Sequence, residues 1–188
     1  LDFNLDDEIV VSSSPLRQKN KLDYFHLLNE VFAMCSRKLK SEGFMCLFFH
    51  DSNLDVWAKL IDSLEKNGFK FVSQEHIRKT KTVKNILSPK KSLNGDAVLF
   101  FTNLKQPLTT IDSNTELTVI EHSLFEHTKF LLNKSGSMST PELYDNGLME
   151  ILIENGWLKK FSSKYTSLVE FFEGKLIWEK ENGKWRLN

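Results

Sequence analysis

Phe44-Met45-Cys46-Leu47-Phe48-Phe49-His50 stands between Gly43 and Asp51-Ser52-Asn53. The run is apolar without alternation and too short for an ordinary helix, so it is expected to be a strand covered on both faces. Working backwards, Leu22, Phe25, Leu28, Phe32, Cys35 and Leu39 recur at helical spacing. Asn20 stands where a cap belongs, Asp23 falls in the first turn, and Gly43 follows the end. Working forwards, Ser52 and Asp55 have capping-box spacing. Trp57, Leu60, Ile61 and Leu64 then share a face, and Gly68 stops that helix. Phe69–Ile77 begins as a second strand. Asp96–Thr102, with Ala97-Val98-Leu99-Phe100-Phe101 at its heart, is a third.

The order is helix, strand, helix, strand, loop, strand. The first strand, its helix and the second strand predict a βαβ unit with a parallel pair. Arg78 to Asn94 carries no helical pattern and is too long for a tight hairpin, which suits a final antiparallel edge strand. Before Asn20 the chain reads as irregular, apart from an extended candidate at Glu8–Val11 that Ser12-Ser13-Ser14-Pro15 ends. After Thr102 the composition shifts. Glu116–Asn133 reads as a helix, Lys134 to Ser139 as a linker, and Thr140-Pro141-Glu142 as a helix start with Thr140 as cap. Tyr144, Leu148, Ile151 and Leu152 share a face ahead of Gly156, and a third helix is expected over Tyr165–Phe172. Asn182-Gly183 between Leu176–Lys180 and Lys184–Leu187 predicts a hairpin. Helices followed by a terminal hairpin outline a winged-helix-like module. The expected division is 1–104 for the α/β part and 105–188 for the tail.

The chain has 188 residues, with 25 basic and 25 acidic side chains and a formal net charge of zero. Global charge therefore advertises neither a nucleic-acid nor a membrane partner. No apolar run approaches the roughly 20 residues of a membrane span. Cys35 and Cys46 lack paired spacing, which reads as free thiols in a reducing, cytoplasmic setting. The first residue is Leu rather than Met, a hint of a fragment. His26, His76, His122 and His127 have no ligand spacing with Cys or acids, so no metal is expected. Arg78, Lys79, Lys81, Lys84, Lys90 and Lys91 form a stretch without an acid. It reads either as a phosphate-neutralising loop on DNA or as a solvated surface loop. In the terminal hairpin Glu179 and Glu181 interleave with Lys180, Lys184 and Arg186, so a structural or protein-contact role is expected there.

Several segments together resemble a known family. Tyr24-Phe25 to Leu28, Val31-Phe32, Arg37-Lys38-Leu39, Gly43-Phe44 to Phe49-His50, Trp57 to Leu60 and Gly68-Phe69 are similar in order and spacing to part of the adenine-specific DNA methylases. Asn94-Gly95-Asp96 and the terminal Asn182-Gly183-Lys184-Trp185 fit the same pattern. These enzymes transfer a methyl group from S-adenosylmethionine to a base amino group. The resemblance implies that the three strands are the fifth, sixth and seventh of a Rossmann-like methyltransferase sheet, with the last antiparallel and inserted at the edge. It implies DNA as partner and S-adenosylmethionine as cofactor of the parent enzyme.

A cofactor site of that type needs a glycine-rich turn after a strand and an acidic residue on the next strand. No such strand–Gly-x-Gly–helix segment occurs in this sequence. The family's Asp/Asn/Ser-Pro-Pro-Tyr/Phe tetrapeptide, whose aromatic ring stacks on the flipped base, is not intact either. Its nearest counterpart is Ser13-Ser14-Pro15-Leu16, with Leu16 in place of the aromatic residue. The two readings are a degenerate catalytic motif and an ordinary loop downstream of one. His50 ends its strand at the carboxyl edge, where doubly wound sheets place ligands, and reads as a site residue or as a strand-capping histidine. The segment alone is expected to bind no cofactor and to act with a missing N-terminal methyltransferase portion or as a homo-oligomer. The alternative is a non-catalytic DNA- or protein-binding module derived from a methyltransferase.

Overall fold

Asn20 opens the first helix, α1 (Lys21–Lys38). Its side chain accepts from the Leu22 and Asp23 amides, and Asp23 returns a bond to the Asn20 amide. That reciprocal capping satisfies donors the helix would otherwise leave open. The computed structural model describes residues 4–78, 88–91, 93, 95–108 and 114–188. After α1 come β1 (Phe44–Phe49), α2 (Leu54–Lys66), β2 (Phe69–Arg78) and β3 (Gly95–Asn103). The cap of α2 is Asn53, whose Oδ1 accepts from the Asp55 amide, one residue beyond the expected Ser52. Val10 and Val11 form no strand, and only Ser12 pairs, with Lys19, in an isolated bridge.

The sheet order is β1-β3-β2, and β3 runs antiparallel to both neighbours. β1 and β2 therefore point the same way, joined by a crossover through α2. They are not hydrogen-bonded to each other, which corrects the expected adjacent parallel pair, and β3 is the central strand of the three rather than the expected edge strand. The reason is sequential: the last strand is inserted between the two strands of the crossover. β1 also departs from expectation. It lies at the end of the sheet, and its side chains alternate between exposed and half-buried. The run is apolar on both faces, and on its outer face Phe44 and Phe48 are exposed.

The inner face carries Met45, Leu47 and Phe49 of β1, Ala97, Leu99 and Phe101 of β3, and Phe71 of β2. α2 packs on it through Trp57, Leu60, Ile61 and Leu64, all buried. The Trp57 ring meets Phe49 edge-on at 4.7 Å, and its Nε1 donates to the Asp51 carbonyl at 2.8 Å. α1 is held by a buried polar contact. Asn103 at the end of β3 donates to the Ser36 carbonyl at 2.8 Å and accepts from the Lys105 amide at 3.0 Å.

The tail comprises α3 (Leu117–Ser135), α4 (Thr140–Leu143), a π-type turn (Tyr144–Leu148), α5 (Met149–Glu154), α6 (Leu158–Ser162) and α7 (Leu168–Phe172). The hairpin of β4 (Ile177–Glu179) and β5 (Lys184–Arg186) closes it. Ser139, not Thr140, caps α4, in a capping box with Glu142. Asn146 and Gly147 leave helical geometry and kink the long helix expected there. The helix expected at Tyr165–Phe172 starts at Leu168, and α6 precedes it. Met138 bridges Trp185, adding a one-residue third strand beside the hairpin. Buried side chains from Phe32 to Trp185 form one core, so the tail is packed on the sheet.

Candidate functional site

The carboxyl ends of β1 and β2 flank the start of β3, and polar side chains gather there. His50 leaves β1 at this end. Its Nδ1 donates to the Gly95 carbonyl and lies 3.6 Å from Asp96 Oδ1. A carbonyl only accepts, so this bond places a proton on Nδ1 and leaves Nε2 free of it. The His50 side chain is 55% exposed.

His76 lies on β2 opposite Ala97, on the inner face. Its Nδ1 is 2.9 Å from Asp145 Oδ1, with both side chains nearly buried. One residue pair away, the Gln74 amide donates to Glu150 Oε1 at 3.1 Å. β2 is thus tied by two contacts to the kinked tail helix. The sequence signal for His76 was missed because its partner stands 69 positions later.

Tyr144 completes the frame. Its buried hydroxyl donates to the Ser52 carbonyl at 3.4 Å and accepts from the Leu168 amide at 3.1 Å. Burial pushes this phenol far above its ordinary range, so it stays protonated. The Leu54 amide donates to the Thr166 carbonyl at 2.9 Å. The loop that carries His50 is therefore clamped by the tail at both Ser52 and Leu54.

No family model, curated protein or solved structure matches this chain.

The remaining expected site residues lie elsewhere. Ser13, Ser14 and Pro15 form a self-contained loop whose ends pair at Ser12 and Lys19. Ser14 O accepts from the Arg17 and Gln18 amides, and Lys19 Nζ donates to the carbonyls of Asp6 and Glu8. The hydrogen bonds of this loop close on residues 6–19, and none joins His50. Leu16, at the position of the family's aromatic residue, is exposed. Of the basic stretch, Lys79, Lys81, Lys84 and the Arg78 side chain lie outside the described residues. Lys90 Nζ sits 2.7 Å from Glu173 Oε1 and 5.0 Å from the Trp185 ring centroid. Thr140 donates to its carbonyl at 2.7 Å. Lys90 is thus spent on pinning the chain to the tail, whereas Lys91 is exposed.

Among the described residues no group of three or more His, Cys, Asp or Glu is placed to hold a metal ion, and no helix is long and apolar enough to cross a membrane. Behind Gln74, His76 and Gly95 the cavity measures about 10 Å³. That is room for about one water molecule, not for a nucleoside. The described residues that line this cavity do not fit S-adenosylmethionine.

Proposed function

We propose that this chain is the C-terminal part of an S-adenosylmethionine-dependent DNA amino-methyltransferase, active only with a portion that binds the cofactor. In this reading the sheet is the last third of a Rossmann-like methyltransferase sheet, the tail is a winged-helix-like support, and the enzyme works on DNA in the cytoplasm. One observation carries it: β3 is antiparallel and inserted between β1 and β2, which run parallel around α2. Sequence order alone would have placed β3 outside β2.

The position of His50 adds support. It ends β1 at the carboxyl edge with its side chain 55% exposed, and its second ring nitrogen is a group suited to pair with the edge of a flipped base. The tail serves this loop. α6, the helix a winged-helix reading would send into a DNA groove, packs on α2 through buried Leu158 and Phe161. That packing favours a supporting role for the tail over direct DNA readout.

The test is transfer of labelled methyl from S-adenosylmethionine to DNA. A preparation that joins this chain to a cofactor-binding portion is expected to label an amino group of DNA, and His50→Ala to lower kcat at least tenfold. The chain alone is expected to show no saturable binding of the methyl donor. Saturable binding by the chain alone, or DNA binding without transfer by the joined protein, would overturn the reading, the latter in favour of a non-catalytic module.

A further inference from the structure

His50 has two supports, and a single buried pair stands between them. The Gly95 carbonyl of β3 holds its ring, and the Tyr144 hydroxyl of the tail holds its loop at Ser52. Nε2 of His76 lies so close to Gly95 that a β-carbon there would be 2.5 Å away. Nδ1 of the same ring is 2.9 Å from Asp145 Oδ1, and Asp145 follows Tyr144 directly in the kinked turn. The side chains of the pair are only 10% and 15% exposed. The space left around them is about 10 Å³. A ring so closely packed cannot shift without pressing on Gly95. The turn that presents Asp145 is braced from its far side too. Its Asn146 carbonyl accepts from His127 Nε2 of α3 at 2.8 Å.

We infer that His76 and Asp145 are a positioning unit that orients His50 through Gly95, so that the packing of the tail governs the geometry of the site. The inference rests on the methyltransferase reading in taking His50 as the group that meets the base. Both residues act on His50 through the Gly95 carbonyl, which makes them positioning residues and not catalytic ones. The reasoning is one of alignment. A hydrogen bond weakens steeply as its angle closes. A half-exposed imidazole gripped at one ring nitrogen is therefore only as well oriented as the carbonyl that grips it. Which of its nitrogens carries the proton is set by that same bond. The Gly95 carbonyl in turn takes its place from the ring packed against Gly95, and that ring from Asp145. This dependence of one residue on a partner behind it is how supporting contacts tune a site.

The experiment reads the Gly95–His50 bond in the chain itself. Ring ¹⁵N signals of His50 and the carbonyl ¹³C signal of Gly95 are recorded at about pH 8.5, above the ordinary histidine range. An Asp96→Ala background removes the second acceptor, which lies 3.6 Å from Nδ1. The expected spectrum is a single His50 form with its proton on Nδ1. Asp145→Ala is expected to lose that single form to an average of both tautomers and to shift the Gly95 carbonyl signal. Phe32→Leu, a buried change on α1, is expected to lower the urea midpoint and leave the His50 pattern intact, which separates lost position from lost stability. Should Asp145→Ala not fold, His76→Leu, which keeps bulk beside Gly95 without ring nitrogens, is read with the same expectation. A parent His50 without the Nδ1 proton, a parent-like pattern in the folded variant, averaging in Phe32→Leu, or unfolding of both Asp145→Ala and His76→Leu would overturn the inference. Methyl transfer is scored separately. A joined protein that binds DNA without transfer sinks the methyltransferase reading and leaves the positioning of His50 standing. Transfer that requires His50, with a His50 signal indifferent to Asp145→Ala, sinks the positioning alone.

Discussion

A β-carbon on Gly95 would stand 2.5 Å from Nε2 of His76 and 2.2 Å from the carbonyl oxygen of Ile77. Both distances lie well inside van der Waals contact, and the Ile77 oxygen belongs to the neighbouring strand. Gly95 also supplies the carbonyl that holds His50. One residue without a side chain therefore lets β2 and β3 close together and fixes the histidines of both flanking strands.

Gly95→Ala is accordingly expected to cost about 3 kcal/mol, because the strands must part to admit one methyl group. Gly136→Ala is the comparison. Gly136 has a φ of +77°, and a β-carbon there meets nothing within 4 Å. Only the left-handed backbone opposes it, at roughly 1–2 kcal/mol. Urea unfolding of the two variants checks the order. Equal losses would show that β2 and β3 do not approach at Gly95 as described.

Tyr144→Phe removes a hydroxyl that bridges the Ser52 carbonyl and the Leu168 amide inside the core. The ring stays, so the loss is that of the hydrogen bonds, about 1–3 kcal/mol with a buried amide left unmet. The His50 loop is expected to loosen with it. Faster amide exchange at Ser52 and Leu168 in the variant is the measurement, and unchanged exchange would remove Tyr144 from the clamp.

The legibility of this architecture follows the range of the forces involved. The three strands, α1 and α2 were readable because each is bounded by local chemistry: Asn20 and Asp23, Gly43, and Gly68 with its φ of +84°. The insertion of β3 between β1 and β2 was not, because strand order is decided by pairing across residues far apart in the chain. The exposure on β1 was equally hidden. Phe44 to Phe49 has the composition of a strand buried on both sides, whereas in the fold Phe44 and Phe48 are exposed. At the site, His50 was legible from its place at the end of an apolar run. His76, Asp145 and Tyr144 were not, since each takes its meaning from a partner on another element. The readings of Ser13, Ser14 and Pro15 had only a single Pro and a Ser to stand on, and the loop they form is closed by its own backbone.

Asn103 is fully buried and joins three elements. Its Nδ2 donates to the Ser36 carbonyl, and its Oδ1 accepts from Ser36 Oγ at 3.2 Å and the Lys105 amide at 3.0 Å. Asn103→Leu keeps the volume but leaves the Lys105 amide without its acceptor and the Ser36 carbonyl with only the bond from Lys105 Nζ, a loss of about 1–3 kcal/mol for each buried partner left unmet. A loss of about 3 kcal/mol is expected in urea unfolding, with the end of α1 fraying first in hydrogen exchange. Asn103→Asp keeps the acceptor and loses the donor, so it is expected to protect Lys105 but not the Ser36 carbonyl.

Glu65 is an acid whose environment opposes its charge. Burial, and then the neighbouring Asp62 carboxylate, hold its carboxyl above the ordinary range. The folded state therefore binds this proton more readily than the unfolded chain. Over the interval between the unfolded value and the raised folded one, the folded chain carries more protons, and stability falls as pH rises. Above that interval the full penalty remains. Glu65→Gln removes the charge and keeps the shape, so it is expected to raise Tm at pH 7 and to leave Tm unchanged near pH 3, where Glu65 is protonated in both states. Glu170→Gln is expected to behave oppositely, because the amide and hydroxyl of Thr166 hold the Glu170 carboxyl below its ordinary range. Its contribution is present above the unfolded value and lost as pH falls through the folded one, so the Gln variant is expected to lower Tm slightly at pH 7. Thermal melts of both variants across this pH range decide it. A Glu65→Gln variant no more stable than the parent at pH 7 would mean that the Glu65 carboxylate is better solvated than its place between α2 and Leu108 implies.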